Sequence, residues 1–358
     1  MKKLILGFFA IIFLVLIGVG GLYFWLNNSM NAKIAHGKTN QYIQIPKGSS
    51  PSEIIDKLSK EGIITNSFAM KNYLRFFGDG SKLKAGEYQF DSPISPMQVL
   101  QELEKGEERT TKLTIPEGFT RFDIAKRLAE KFPQNPPMDE KAVLYLMDDV
   151  SLIKDIDPTA KNLEGFMYPS TYSFPKDVKM QDVIKRMVEQ FKKVWTPERF
   201  LKAQQMGKTP HEIITIASLI ETESKFDGER QIVASVIYNR LNKGIALGID
   251  QTAVYIAKME NRWDGTIHKS DLESNSPYNT RKVSGLPPGP ISSISESSID
   301  AALNPKQTDY IFYVLNVEKN DGSHHFYASA AEFEKGKAAY QIWLEQQRAK
   351  KRENEGNN

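Results

Sequence analysis

The chain has 358 residues, with 47 Lys plus Arg against 44 Asp plus Glu and a net charge of +3. That balance is no nucleic-acid footprint, and the absence of cysteine excludes disulfides and thiolate metal sites. Apolar and charged fractions are ordinary, so the roughly 330 residues beyond the N-terminal apolar run imply two or three globular domains.

Residues 1–3, Met1-Lys2-Lys3, precede an uncharged run from Leu4 to Leu26. Those 23 residues suffice to cross a hydrocarbon core of about 30 Å at about 1.5 Å per residue. Tyr23, Phe24 and Trp25 crowd its far end as an interfacial belt would. A cleaved signal peptide has an apolar region of about 7–15 residues ending in small side chains. The run therefore reads as a retained anchor over 4–26, with a linker over 27–40. Lys2 and Lys3, against only Lys33 soon after, put the N-terminus in the cytoplasm and the rest of the chain outside it.

A weak repeat comes next. "IQIPKGSSPSEIIDKLSKEGII" from Ile43 and "LTIPEGFTRFDIAKRLAEKF" from Leu113 match at an offset of 70 residues, at Ile45/Ile115, Pro46/Pro116, Gly48/Gly118, Ile54/Ile124 and Leu58/Leu128. Each copy predicts a short strand, a Pro-x-Gly turn and an amphipathic helix, N-capped by Ser50 or Ser52 in the first and by Thr120 in the second. Two copies are too few for a solenoid, so they predict one small α+β region over 41–135. Between them "LKAGEYQF" alternates like a strand and "SPMQVLQELEKG" reads as a helix ended by glycine.

Residues 138–195 read as mainly helical, interrupted by "NLEGFMYPSTYSFP" (162–175), whose rings fit a packed loop or a groove wall. A strong helix follows from His211 to about Phe226, and a second from Glu229 to Gly244. "SPYNTRKVSGLPPGPISS" is a long turn-rich loop, and "SIDAALNP", "YIFYVLNV" and "DGSHHFY" read as a helix, a strand and a segment after a turn. Residues 346–358 form a polar tail.

The stretch "IASLIETES" (216–224) ends an apolar run with two carboxylates. On a helix, Ile213, Ile216, Ala217, Leu219 and Ile220 form one apolar face, with Thr215, Ser218 and Thr222 opposite. Glu221 and Glu223 fall at its two margins and do not face each other. A buried carboxylate is paired, protonated or used. One reading pairs them with Arg230 and Arg240. The other makes them functional, with Thr222 and Ser224 leaving room for a ligand.

Metal and nucleophile chemistries fit poorly. "HEIIT" at His211 has Thr215 where a zinc helix needs its second histidine, and His324 and His325 are adjacent. Neither a nucleophile elbow nor a phosphate loop is present.

Six stretches in order, "LEGFMYPSTYSF", "IASLIETES", "VASVIYNRL", "SPYNT", "GLPPGPI" and "AALNP", resemble the endolytic murein transglycosylase (YceG-like) family. The resemblance runs from the anchor to about residue 340. It implies an α+β fold with a single transmembrane helix, a LysM-like subdomain over 41–135 and a mixed α/β catalytic domain over 136–345. It also implies a bacterial inner-membrane protein that cuts peptidoglycan glycan strands without a cofactor, in the company of peptidoglycan synthases (penicillin-binding proteins). By position, Glu221 matches the family's catalytic acid and Glu223 a second acidic position. Asp250, Tyr278, Asn279, Glu164, Tyr168 and Tyr172 are candidates for binding or support, each with a turn or packing role as the alternative. Ser170, Gln251 and Arg281 depart from the family pattern, in segments expected to form substrate subsites.

The implied chemistry has one acid protonate the oxygen between N-acetylmuramic acid and N-acetylglucosamine. The muramic acid C6 hydroxyl then closes on C1 to a 1,6-anhydro ring, and the same glutamate accepts its proton. That role asks for a carboxyl pKa above the ordinary value of about 4.3, which apolar neighbours such as Ile214 and Ala217 would supply. A water-using muramidase with Asp250 or Glu223 as base, and a non-catalytic glycan-binding scaffold, are the alternatives.

Overall fold

The structure, a computed structural model, describes residues 2–39, 41–106, 110–175 and 178–356, with side chains described between residues 13 and 349 except that of Thr110. The expected N-terminal segment 1–3 therefore lies outside the described side chains, as do the last residues of the expected tail. Two compact units divide the chain between residues 111 and 112.

The first unit contains α1 (Lys2–Asn31), β1 (Ile43–Ile45), α2 (Pro51–Lys60), α3 (Ser67–Phe76), β2 (Gly86–Tyr88) and α4 (Pro96–Lys105). β1 and β2 run antiparallel, with Ile43 opposite Tyr88. Their alternation buries Ile43, Ile45 and Tyr88 over Ile54, Ile55 and Leu58 of α2 and Val99, Leu100 and Leu103 of α4. Ser50 and Ser95 close capping boxes with Glu53 and Gln98, and a proline opens each helix, so both helix starts are written in the sequence.

The linker expected over 27–40 is not free chain. Helix α1 continues to Asn31, and Leu26 and Met30, four residues apart on one face, are buried in this unit's core. The segment then reaches a backbone bridge between Ile34 and Ile94. The polar composition of "NNSMN" concealed one buried methionine. Upstream, Phe13 to Phe24 stay largely exposed, and Phe13–Asn31 is long and apolar enough to cross a bilayer.

The second unit holds β3 (Thr110–Ile115), α5 (Arg121–Lys131), α6 (Glu140–Leu146), β4 (Ser170–Pro175), α7 (Met180–Val194), α8 (Pro197–Gln205), α9 (Pro210–Glu223), α10 (Asp227–Asn242), α11 (Gln251–Met259), α12 (Lys269–Leu272), α13 (Glu296–Leu303), β5 (Phe312–Leu315), β6 (His324–Tyr327) and α14 (Ala330–Gly356). β3 pairs with β4, and β5 with β6 as an antiparallel hairpin. The second strand-turn-helix copy belongs here. Leu113, Ile115, Ile124, Leu128 and Phe132 share one core with α7 and α9. The single subdomain expected over 41–135 is thus divided after Thr111, because an apolar helix face does not say which partner covers it. Segment 162–175 is packed: Leu163, Phe166 and Met167 are buried, and its second half is the strand β4. The expected tail continues α14 as helix to Gly356.

Candidate active site

Helix α9 starts at Pro210, after Thr209 closes a capping box with Glu212. Every residue from Ile213 to Ile220 is buried, including Thr215 and Ser218 on the hydroxyl face. That face is not a ligand gap. Ser218 Oγ donates to Thr215 O at 2.7 Å and accepts from Ile291 N at 3.1 Å, while Ser292 Oγ donates to Ser218 O at 3.3 Å. Thr222 Oγ1 likewise turns back on the helix, to Leu219 O at 3.0 Å. Ser218 and Thr222 bond to local carbonyls, whereas the buried Thr215 Oγ1 has no hydrogen-bond partner among the described residues, and α13 packs close against the helix.

Glu221 leaves this buried helix at the N-terminus of α13. Its Oε2 accepts from Ser295 N at 2.8 Å and from Ser295 Oγ at 2.5 Å, and lies 2.9 Å from Arg230 Nη1. The two charged side chains are only 3% and 6% exposed. Arg230 in turn donates to Ser295 Oγ at 2.9 Å and to Ser298 Oγ. Among the described residues no donor is placed on the second oxygen, Oε1. The pairing with Arg230 is one that the sequence offered, and it replaces the apolar surroundings expected from Ile214 and Ala217.

Glu223 points the other way. Its Oε2 accepts from Tyr313 Oη on β5 at 2.6 Å. Burial raises its carboxyl above the ordinary range, and the nearby Asp250 adds to the rise. Arg240 makes no bond to it. Its guanidinium donates to the carbonyls of Ile311 at 2.6 Å and Leu247 at 2.6 Å. Asp250 is half-exposed and pairs with Arg281, Nη2 to Oδ1 at 2.5 Å, so the departure at Arg281 has a partner on this chain. Gln251 is the first residue of α11 and Ser170 the first of β4.

The remaining sequence candidates divide. Tyr168 is half-buried, and its phenol is raised by burial and then by the negative charges of Glu296, Glu117 and Glu221. Tyr172 is buried and donates to Tyr168 O at 2.6 Å. Asn279 is fully buried, donating to Leu272 O at 3.0 Å and Ser274 O at 2.7 Å to hold a turn. Glu164, 2% exposed, accepts from Arg121 N at 2.9 and 3.1 Å at the start of α5, and burial pushes its carboxyl up to about 7. Tyr278 packs its ring 5.0 Å from that of Tyr255, beside Glu164. Of these, Tyr168 is the one whose phenol is raised in part by the charge of Glu221. Glu164, Tyr172 and Asn279 serve the scaffold, by contacts that sequence spacing does not reveal.

Sequence reasoning passed over two residues here. Ser295 had only its place before a helix to mark it, as an N-cap. Glu117 sits in the Pro-x-Gly turn, 3.9 Å from Arg230, with a carboxyl raised by burial and by the charge of Glu221. The exception in the repeat, Lys47 in one copy against Glu117 in the other, was its signal.

Residues 43–339 match the profile of the YceG-like family. The endolytic murein transglycosylase of Bacillus subtilis (strain 168) is 32% identical over 339 residues, which cover 90% of this chain and 91% of that protein. The endolytic murein transglycosylase of Streptococcus pneumoniae serotype 2 (strain D39 / NCTC 7466) is 29% identical over 338 residues, 86% of this chain but 60% of that longer one. A crystal structure of a yceG-like protein from Listeria monocytogenes, 32% identical, superposes with a TM-score of 0.56 over 82% of this chain and 97% of its own. The chain belongs to the YceG-like family.

Proposed function

We propose that this protein is an endolytic murein transglycosylase, a lyase that cleaves glycan strands of peptidoglycan internally, with Glu221 as its catalytic acid. The observation that carries the assignment is the setting of Glu221. It follows the buried run over residues 213–220, with Oε2 held by Ser295 and Arg230 and, among the described residues, no donor on Oε1. Kinship to proteins named for this activity supports the substrate class.

The sequence of events follows from the substrate's chemistry. Glu221 Oε1 carries the proton to the glycosidic oxygen between N-acetylmuramic acid and N-acetylglucosamine. The C1–O bond opens toward an oxocarbenium-like state, and the C6 hydroxyl of the same muramic acid closes on C1. No water is consumed, because the nucleophile is already held in the substrate. Fixing Oε2 by two Ser295 donors and the Arg230 ion pair restricts the carboxyl to one orientation, which is what proton delivery requires. Tyr168, half-buried, is the ring assigned to stack on a sugar.

In the cell, the apolar run over 4–26 anchors the protein in the bacterial inner membrane with its N-terminus in the cytoplasm. Residues 41–111 act as a LysM-like glycan-holding part and the second unit cuts, ending nascent strands beside peptidoglycan synthases. Digestion of purified glycan strands in ¹⁸O-labelled water tests the reaction class. Products one water lighter than a hydrolysed muramic acid, without label, are expected. Labelled reducing ends would make the enzyme a hydrolase.

A further inference from the structure

Helix α3 carries most of the large apolar side chains that the first unit leaves uncovered. Beyond α1, those exposed among that unit's described residues are Tyr42, Phe68, Phe76 and Phe77, and the three phenylalanines belong to α3 or its C-cap. Ala69, Met70 and Leu74 turn inward from the same helix to the core, so the outward rings are not what holds it in place. Phe68 and Phe76, 67% and 66% exposed, stand eight residues apart with Asn72 midway, on one row of the helix surface. Arg75, beside that row, holds its guanidinium 5.6 Å from the centre of the Phe76 ring. Exposed rings edged by a cation, over an inward apolar side, are the pattern of a helix that lies at a membrane surface.

Helix α1 places this face. Its far end packs ring against ring on α3, with Trp25 6.3 Å from Phe68 and Tyr23 6.1 Å from Phe77. Phe68 and Phe77 are nine residues apart, whereas Tyr23 and Trp25 are separated by only about 3 Å along α1, at about 1.5 Å per residue. Helix α3 therefore crosses α1 and does not run along it. With α1 standing in a bilayer, α3 lies close to the membrane plane, at the level where Tyr23 and Trp25 meet the headgroups. The two helices are held together, since α1 is continuous to Asn31 and buries Leu26 and Met30 in the same core as Met70 and Leu74.

We propose that the Phe68, Phe76 and Phe77 face of α3 is a membrane-contact surface, whose rings enter the lipid headgroup layer around α1. The proposal rests on the reading of α1 as a membrane anchor. Lipid fits this face better than a protein groove does, because its rings already touch the α1 side chains that a bilayer surrounds. Whatever covers the face stands where lipid stands. The rings take the apolar boundary, and Arg75 stays level with the lipid phosphates. Two contacts, α1 and α3, fix the orientation of the first unit on the membrane, where a single spanning helix leaves it free to tilt.

The chain contains no cysteine, so one introduced cysteine gives one label. Full-length protein with an environment-sensitive fluorophore at Asn72→Cys or at Leu22→Cys is reconstituted into phosphatidylglycerol–phosphatidylethanolamine vesicles, with and without nitroxide-headgroup lipid. Leu22, within the apolar run, reports insertion, and Asn72 reports the α3 face. Both labels are expected to be quenched, that at Asn72 to at least about half the extent of that at Leu22. Phe68→Ser, Phe76→Ser and Phe77→Ser together should cut the quenching at Asn72 at least about threefold and leave that at Leu22 unchanged, with circular dichroism confirming the fold. Quenching at Leu22 with none at Asn72 would overturn the proposal and give the face to a protein partner. Quenching at Asn72 that is indifferent to the three serines would overturn it too. If Leu22 itself escapes quenching, the anchor reading fails and the proposal with it.

Discussion

Glu164 gives the most quantitative handle on the scaffold behind the site. Its carboxyl is 2% exposed, and burial raises it from 4.5 to about 7, the backbone amide of Arg121 only partly opposing the rise. A carboxyl raised on folding favours the folded state below its unfolded value and loses that contribution as pH climbs through its folded value. A rise from 4.5 to about 7 corresponds to about 3 kcal/mol, at roughly 1.4 kcal/mol per pH unit. The second unit should therefore lose up to about 3 kcal/mol of stability between pH 5 and pH 8 through this group alone. Glu164→Gln stays neutral and keeps an oxygen for Arg121 N. At pH 5 it should match wild type within about 1 kcal/mol, and at pH 8 it should be the more stable. Urea unfolding at pH 5, 6, 7 and 8, followed by tryptophan fluorescence, to which Trp195 in the same core contributes, measures both. Equal slopes against pH in the two proteins would refute the assignment of a neutral, buried carboxyl.

Three further outcomes are expected. Arg230→Leu leaves the Glu221 carboxylate buried without its cation and should cost about 3–5 kcal/mol, read as a large fall in Tm, whereas Glu221→Gln should cost less. Tyr313→Phe removes the donor to Glu223 and should cost about 1–3 kcal/mol in urea unfolding, with cleavage within about threefold of wild type because Glu223 faces away from Glu221. Arg281→Ala breaks a half-exposed pair with Asp250 and should change stability by less than about 1 kcal/mol, measured by the same unfolding.

The parts of the fold legible in the sequence were those set by local chemistry. Ser50, Ser95 and Thr120 cap the helices that their spacing predicts, and the strands at Ile43, Gly86 and Phe312 form where alternation or β-branched runs place them. The 100° wheel correctly sent Glu221 and Glu223 to different neighbours. What stayed hidden depended on partners distant in sequence. Nothing local to Leu113–Phe132 says that β3 pairs with β4 and not with the first unit's strands. Met30 looked like part of a linker because its burial is decided by residues far along the chain, in α2 to α4. At the site, Glu221 stood out by composition. Ser295 and Glu117 did not, since each acts across more than 70 residues of chain.

The most direct test is the cleavage of purified glycan strands by full-length protein beside Glu221→Gln, both confirmed folded by circular dichroism, with products resolved by mass spectrometry. Anhydro-ended fragments from wild type, reduced by about 100-fold or more in the variant, are the expected result. Undiminished cleavage by Glu221→Gln would remove Glu221 from the chemistry and leave its bonds to Arg230 and Ser295 as purely structural ones.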